Sequence, residues 1–145
     1  MLERITLNNQ IIALIIRNNF HSPGIKFFTP DNFSQQLAYM CHPPGKILQS
    51  HFHNFLSREV ISTQEVLFVK RGKLRVDFYD DEHNYLESSI IESGDVMLLA
   101  SGGHGFEVIE EVEMIEVKQG PYTGDADKTR FDGITAEQVI LKNHG

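Results

Sequence analysis

Short apolar segments separated by turn residues are the feature that most constrains how this chain can fold. Leu74, Val76 and Phe78 alternate with polar residues, which is the period-2 pattern of a strand with one buried face. Residues 66–69 form a short continuous apolar run, and further strands are predicted at 11–17, 36–41, 46–53, 85–91, 95–99, 105–109 and 112–117. Many short strands with glycine and proline between them favour a β-sandwich or barrel.

The turns and the end of the chain add three expectations. Gly72, within the sequence Lys70 to Lys73, predicts a tight hairpin between two strands at 66–69 and 73–78. After Gly120 the apolar periodicity fades, and one short helix is predicted around 136–141. We expect one domain over residues 1–145, with a barrel core at about 35–120 and a tail, 121–145, that packs on the barrel or on a partner.

Charge and composition exclude several classes of protein. Thirteen Lys and Arg against twenty Asp and Glu give a net charge of −7, which argues against nucleic acid as a partner. The single cysteine, Cys41, excludes an internal disulfide and fits a reducing compartment, so the cytoplasm is expected. The longest apolar run, Ile11 to Ile16, is too short for a membrane span of about 20 residues, and no membrane or secretory segment is expected.

Two histidines stand at a spacing that suits metal binding. Residues i and i+2 of a strand project from the same face, so the imidazoles of His51 and His53 can point into one cavity. Neutral imidazole is a common metal ligand, although a His-x-His pair can also be incidental.

The surroundings of this pair form a larger pattern. Gly45 is followed by five residues and then His51-Phe52-His53, Glu65 is followed by six residues and then Gly72, and Gly94-Asp95 opens an apolar strand that leads to Gly102-Gly103-His104. In this order the sequence resembles the two motifs of the cupin family. The resemblance covers residues 45 to about 116 and implies an all-β fold, the jelly-roll barrel called a double-stranded β-helix.

The resemblance also implies a metal centre. The family's ligands fall on His51, His53, Glu65 and His104, a set of nitrogen and oxygen donors that suits Zn, Mn, Fe, Ni or Co. Eleven residues separate His53 from Glu65, more than the family usually has, so 54–64 is interpreted as an insertion at the mouth of the site. The alternative is a barrel whose histidines are hydrogen-bonded polar groups without a metal.

Three further residues are candidates for substrate binding. Arg58 can clamp a carboxylate or phosphate, or be a solvated loop charge. Gln49 shares the strand face of the histidine pair and can reach ligand or cap the core, and Tyr39 can offer its phenol to the cavity or pack as a buried aromatic residue. Segments 116–122 and 127–131 are more polar than barrel closure needs, and no role is assigned to them. Surface or loop positions are expected for the remaining histidines, at 21, 42, 83 and 144.

The resemblance implies a function as well as a site. It points to a metal-dependent enzyme that acts on a small polar substrate, such as a sugar or sugar-nucleotide intermediate, by isomerase-like carbonyl chemistry, in a subgroup associated with surface-polysaccharide biosynthesis. An iron-dependent dioxygenase and a non-catalytic small-ligand binding protein are the alternatives. Family members usually dimerise, so a homodimer is expected, with the strand Ile11 to Ile16 as the edge where two sheets meet.

One substitution pair tests the metal centre. Replacing His51 or His53 by Ala should remove a donor and empty the site while the core stays folded, because few apolar contacts are lost. Elemental analysis of protein purified without chelator measures the metal content. Unchanged metal content in both variants would contradict the assignment.

Overall fold

The protein was analysed as a computed structural model, which describes residues 1–142. Within these residues the chain forms eight β-strands, a 3₁₀ turn at Ala136–Gln138 and no α-helix, and no helix could cross a membrane. The strands are β1 (Leu2–Leu7), β2 (Gln10–Ile16), β3 (Gly24–Phe27), β4 (Ala38–Cys41), β5 (Glu65–Tyr79), β6 (Tyr85–Glu92), β7 (Val96–Leu99) and β8 (Gly103–Lys118).

Six of the strands form one curled antiparallel sheet. One edge of β5 pairs with two strands. Its first part, Glu65 to Phe68, pairs with β7, and its second part, Lys73 to Tyr79, pairs with β6. On its other side β8 pairs along the whole length of β5. The sheet continues from β7 to β2 and β1, while β3 and β4 form a separate two-stranded hairpin. The all-β class predicted from the sequence is therefore confirmed.

The predicted hairpin at 70–73 is wrong, because β5 runs through it as one bent strand. Gly72 has a φ of +94° inside this strand, where the pairing with β8 is irregular. A Cβ at this position would lie 2.0 Å from the carbonyl oxygen of Glu111. Glycine is needed here for a bend that lets two long strands stay in contact, rather than for a reversal of the chain.

Other strand predictions hold in part. Strands β2, β6 and β7 lie within about a residue of their predicted bounds, whereas 105–109 and 112–117 join into the single strand β8. The predicted strand at 46–53 is wrong, since residues 42–64 have no regular structure and no neighbouring strand to bond with. Strands β1 and β3 were not predicted, and the helix expected at 136–141 is only a 3₁₀ turn.

The strand Ile11 to Ile16 was predicted as an exposed edge, and this is wrong. Strand β2 lies between β1 and β7 and is hydrogen-bonded on both sides. Its continuous apolar run is explained by burial of both faces, which is typical of strands covered on two sides.

Two apolar clusters lie on the two faces of the sheet. The inner face of the curl buries Leu67, Val76 and Phe78, which are at most 4% exposed, in one cluster with residues of β1, β2, β6 and β7. The outer face of β2 and β7 buries Leu14 and Leu98 beneath residues from the segment that contains β3 and β4.

A buried ionic cluster joins the strand ends at one side of the sheet. Arg17 forms ion pairs with Glu3 and with Asp95, whose Oδ2 lies 3.0 Å from the guanidinium. The Asp95 carboxylate also accepts hydrogen bonds from the backbone N–H groups of Asn18, at 2.9 Å, and Glu92, at 2.8 Å. The aspartate of the Gly-Asp motif thus fixes the turn between β6 and β7 to the end of β2.

The segment after β8 packs on the same chain. The ring of Phe131 lies edge-on to Tyr79, with centroids 4.9 Å apart, and stacks on His83 at 4.3 Å. The Tyr79 hydroxyl accepts a hydrogen bond from the backbone N–H of Ile134 at 3.0 Å, and the backbone N–H of Ser88 donates to the carbonyl of Ile140 at 2.7 Å. These contacts hold residues 131–140 against β5 and β6.

Asp95→Ala should destabilise the protein by about 3 kcal/mol, because it removes one of the two carboxylates paired with Arg17 and leaves the backbone N–H groups of Asn18 and Glu92 without their acceptor. Urea unfolding followed by circular dichroism measures the change. Asp81→Ala, at an exposed turn position, is the matched control and should alter stability by less than about 0.5 kcal/mol. Equal stability of the two variants would contradict the role given to Asp95.

Candidate functional site

Charged side chains meet on the inner face of the curl, where the apolar cluster ends. Glu65 opens β5 and shares the strand face of buried Leu67. In the register of β5 and β8, Glu116 lies opposite Leu67 and His104 lies opposite Phe78, so both project from the same inner face. Glu116 therefore lies near the start of β5, close to Glu65, and His104 lies near its end.

An open cleft of about 520 Å³ lies between Glu65 and His104, and Glu116 adjoins it through its hydrogen bond to Glu65. Glu65 and His104 line it from the sheet, Tyr79 closes one side, and Lys128 and Phe131 cover it from the segment after β8. Gly102 shapes the turn that precedes His104, since it has a φ of +70° and a Cβ there would lie 2.2 Å from the carbonyl oxygen of Tyr79. Glycine is required at position 102 because of this close approach.

Glu65 is an acid with a strongly altered pKa. Burial, a hydrogen bond to the Glu116 side chain and the charge of Glu116 together raise the pKa of Glu65 to about 7, while the charges of Lys118 and Lys128 oppose the shift. A hydrogen bond between two carboxyl groups requires a proton on one of them. Near neutral pH Glu65 is therefore present in both its protonated and its unprotonated form.

His104 is held in its neutral form. Burial lowers the pKa of His104 below its usual value, and the positive charge of Lys128 lowers it too, while Glu116 acts in the opposite direction. Its ring centroid lies 5.4 Å from that of Phe106 on the same strand. A neutral imidazole has one nitrogen that donates and one that accepts a hydrogen bond or binds a metal.

The two other predicted metal ligands lie elsewhere in the chain. His51 and His53 are exposed on the segment 42–64, with ring centroids 5.1 Å apart, and the Nδ1 atom of His51 lies 3.1 Å from the carbonyl oxygen of Gln49. In the part of the chain that the structure describes, no three His, Cys, Asp or Glu side chains are placed to hold a metal ion. The structure thus brings Glu65 and His104 to one cleft and His51 and His53 to one exposed segment, and the metal centre stays a prediction.

The predicted substrate-binding residues do not line the cleft. Gln49 and Arg58 are exposed on the segment 42–64. Tyr39 belongs to β4, packs edge-on against Phe20 at 5.0 Å and contributes to the outer cluster, which is the packing role that the sequence left open. Their part in substrate binding stays a prediction.

The remaining histidines take separate positions. His21 approaches the Tyr39 hydroxyl at 3.4 Å, and His83 lies in a turn and stacks on Phe131. His42 is half-buried at the start of the segment 42–64. His144 lies outside the described residues.

Glu116, Lys118 and Lys128 were not predicted as site residues. The unassigned polar segments 116–122 and 127–131 contained them, and their excess of charge after the apolar strands was the available signal. Their role depends on the register of β5 with β8 and on the docking of the later segment, and neither can be read from composition.

The raised pKa of Glu65 predicts a pH dependence of stability. Between about pH 4.5 and pH 7 the unfolded chain releases the Glu65 proton while the folded protein keeps it, so the wild type loses stability as the pH rises through this range. Glu65→Gln removes this loss and should be more stable than wild type at pH 8 by about 1–2 kcal/mol, after allowance for solvent screening, and should gain much less at pH 4. Urea unfolding at both pH values measures the difference, with the exposed Glu59→Gln as control. A gain that is the same at both pH values would contradict the proposed shift.

Comparisons with known proteins assign no family to this cleft. No family model matches the chain, and neither a curated protein nor a solved structure matches it. The site is therefore interpreted from its own residues.

Proposed function

We propose that this chain is a jelly-roll protein of the cupin type that moves a proton next to a carbonyl group in a small polar substrate. A sugar or a sugar-nucleotide intermediate of polysaccharide biosynthesis fits this role, with isomerase-like chemistry. The observation that carries the proposal is that one cleft holds both Glu65, whose pKa is raised to about 7, and His104, whose pKa is lowered by burial.

The fold supports the jelly-roll interpretation. Strands β5 and β8 each contribute to both halves of the curl, one half with β7 and the other with β6. Their inner faces bury one apolar cluster, and the cleft opens at its margin. This is the position in which a barrel of this kind holds a small ligand.

The reaction needs a base, an acid and a site between them. In an aldose–ketose type of isomerisation, a base takes the proton from the carbon next to the carbonyl, and an acid gives a proton to the carbonyl oxygen. Glu65 in its unprotonated form is the base, and His104 donates to the oxygen from its N–H. The first proton is then returned to the former carbonyl carbon. The hydroxyl group on the carbon that had lost its proton gives up its own proton and becomes the new carbonyl. A base whose pKa lies near the working pH is the most effective one.

Positive charge at the rim suits an anionic or polyhydroxylated substrate. Lys118 and Lys128 lie close enough to act on the charge of Glu65. Lysine ammonium groups donate hydrogen bonds to phosphate and hydroxyl oxygens. The cleft volume of about 520 Å³ fits a ligand of sugar size.

No step of this reaction is assigned to a metal. One chain supplies Glu65 and His104 to the cleft, but its own His51 and His53 are on the exposed segment 42–64. Within residues 1–142 of one chain the predicted donor set therefore does not fit a four-ligand centre.

Solvent isotope exchange tests the proposal. The protein is incubated in D₂O with a panel of aldoses, ketoses and keto-sugar nucleotides. It should catalyse replacement of the hydrogen on the carbon next to the carbonyl by deuterium, seen as loss of that hydrogen's ¹H NMR signal. Glu65→Gln should slow this exchange by about 10²- to 10⁴-fold, because it removes the general base. Glu82→Gln, in an exposed turn, is the control and should leave the rate unchanged.

Two outcomes would contradict the proposal. Exchange that survives in Glu65→Gln would remove Glu65 from the reaction. Tight binding of a sugar ligand by the wild type, without exchange at any substrate of the panel, would favour a binding protein.

A further inference from the structure

We propose that a pocket on the outer side of the sheet, behind the cleft, binds an uncharged sugar residue. This outer pocket has a volume of about 490 Å³ and is lined by the turn between β1 and β2, by residues between 30 and 34, by residues between 59 and 64, and by the two residues that follow β7. Its volume lies within the range of about 300–1,000 Å³ that is typical of small-ligand sites. The proposal goes beyond the reaction proposed for the cleft and does not depend on it.

The outer pocket is separate from the cleft, although it adjoins the same parts of the chain. Gln64 lines the outer pocket and Glu65 lines the cleft. Successive residues of an extended chain point to opposite faces, which places the two hollows on opposite sides of the start of β5. Among the described residues they have no lining residue in common. A ligand in the outer pocket therefore leaves the cleft unoccupied.

The outer pocket is almost uncharged. Among its described lining residues only Glu59, which is exposed, has an ionisable side chain, whereas Glu65, His104 and Lys128 all line the cleft. An anionic ligand in the outer pocket would lose water without gaining a counter-ion. A cationic ligand would find a single solvated carboxylate, and exposed ion pairs contribute little to binding. The lining therefore favours an uncharged ligand.

A nearly buried amide group is the strongest polar feature of the outer pocket. Gln64 is 4% exposed, and its Oε1 atom accepts hydrogen bonds from the backbone N–H of Gln35, at 3.0 Å, and from the hydroxyl of Ser34, at 3.3 Å. Since a backbone N–H only donates, these contacts fix which side of the amide group carries the oxygen. Within residues 1–142 the amide nitrogen of Gln64 has no hydrogen-bond partner. Buried polar groups are normally paired, so its N–H groups are donors that a ligand would satisfy.

Exposed amide side chains surround the opening. Those of Asn9, Gln10 and Asn32 line the outer pocket, and in the described part of the chain none of the three has a hydrogen-bond partner. Each amide group both donates and accepts hydrogen bonds, as each hydroxyl group of a sugar does. The rim can therefore bind several sugar hydroxyl groups without using a charge.

Apolar side chains complete the lining. Ile11 and Phe33 are half-buried, and Val60 and Ile61 are exposed at the pocket. The C–H groups on one face of a sugar ring are apolar and pack on such a surface, while the hydroxyl groups project from the edge of the ring. Phe33 is the single aromatic residue of the described lining, so a flat base would have no second ring to stack against. A sugar residue needs only one apolar surface and fits this lining better.

The walls of the outer pocket are held in place by hydrogen bonds. The Nε2 atom of Gln36 donates to the carbonyl oxygens of Pro30 and Phe33, both at 2.9 Å, and fixes the loop between them. The hydroxyl of Ser101 donates to the carbonyl oxygen of Ile11 at 2.7 Å. A pocket that is formed before its ligand arrives loses less conformational entropy on binding.

Titration with methyl glycosides tests the proposal. A methyl glycoside is an uncharged sugar with a locked ring, so it has no free carbonyl group and cannot undergo the reaction proposed for the cleft. Methyl glycosides of glucose, galactose, mannose and N-acetylglucosamine are added to ¹⁵N-labelled protein, and NMR follows the amide signals. At least one of them should shift the side-chain amide signal of Gln64 and the backbone signal of Ser101 in a saturable way. The uronic acid form of the same glycoside, with a carboxylate in place of the hydroxymethyl group, should bind at least about tenfold more weakly.

Two neighbouring asparagines provide a matched pair of variants. Asn8 and Asn9 have positive φ angles of +50° and +64° in the turn between β1 and β2, but only Asn9 lines the outer pocket. Glycine adopts this conformation readily, so neither replacement strains the turn. Asn9→Gly should weaken glycoside binding by about 3- to 10-fold through loss of hydrogen bonds, and Asn8→Gly should leave it unchanged. Equal affinities of the two variants would contradict the assignment.

A third variant tests the buried amide group. Gln64→Met keeps the length of the side chain but removes its donors, and it should weaken glycoside binding by at least about tenfold. It also removes the acceptor of the Gln35 N–H, so the dispersion of its NMR spectrum is compared with that of the wild type. Asn9→Gly tests the same pocket if Gln64→Met does not fold.

Three further outcomes would overturn the proposal. They are the absence of saturable shifts with every glycoside of the panel, saturable shifts confined to residues of the cleft, and equal binding of the uronic acid form. Failure of the proposed function gives a different result, because a protein without isotope exchange activity can still bind methyl glycosides.

Discussion

The pairing of β5 with β8 is the constraint on which the site depends. It places Glu65 and Glu116 at one end of the ladder and His104 at the other, and the bend at Gly72 brings both ends to one cleft. A slip of one residue would turn each of these side chains to the opposite face. The buried apolar residues between them resist such a slip, since it would expose the inner cluster to water.

The sequence identified the all-β class and several strands because period-2 alternation and turn residues are local signals. Its predictions were wrong where one local sequence pattern is compatible with two different structures. Gly72 suits a hairpin or a bulged bend, and only the partner strand decides between them. The run from Ile11 to Ile16 suits an exposed edge or a doubly covered strand, and the pairing of β2 with both β1 and β7 decides that case.

The candidate site also contains some residues that local motifs predict and others that only long-range contacts place. Glu65 and His104 could be found from motif spacing, and the structure places both in one cleft. Glu116 and Lys128 could not, because their positions follow from strand register and from the docking of a later segment. Asp95 belongs to the predicted motif but stabilises the fold and does not line the cleft. Its carboxylate pairs with Arg17 and accepts hydrogen bonds from the backbone of the turn between β6 and β7 and of the end of β2.

The wall formed by Lys128 and Phe131 belongs to a segment that follows the eight described strands and adds no strand to the sheet. Burial and the charge of Lys128 both lower the pKa of His104, so local detachment of this segment would raise that pKa toward its ordinary value. The acid–base character of the cleft thus depends on how firmly a segment outside the sheet is docked.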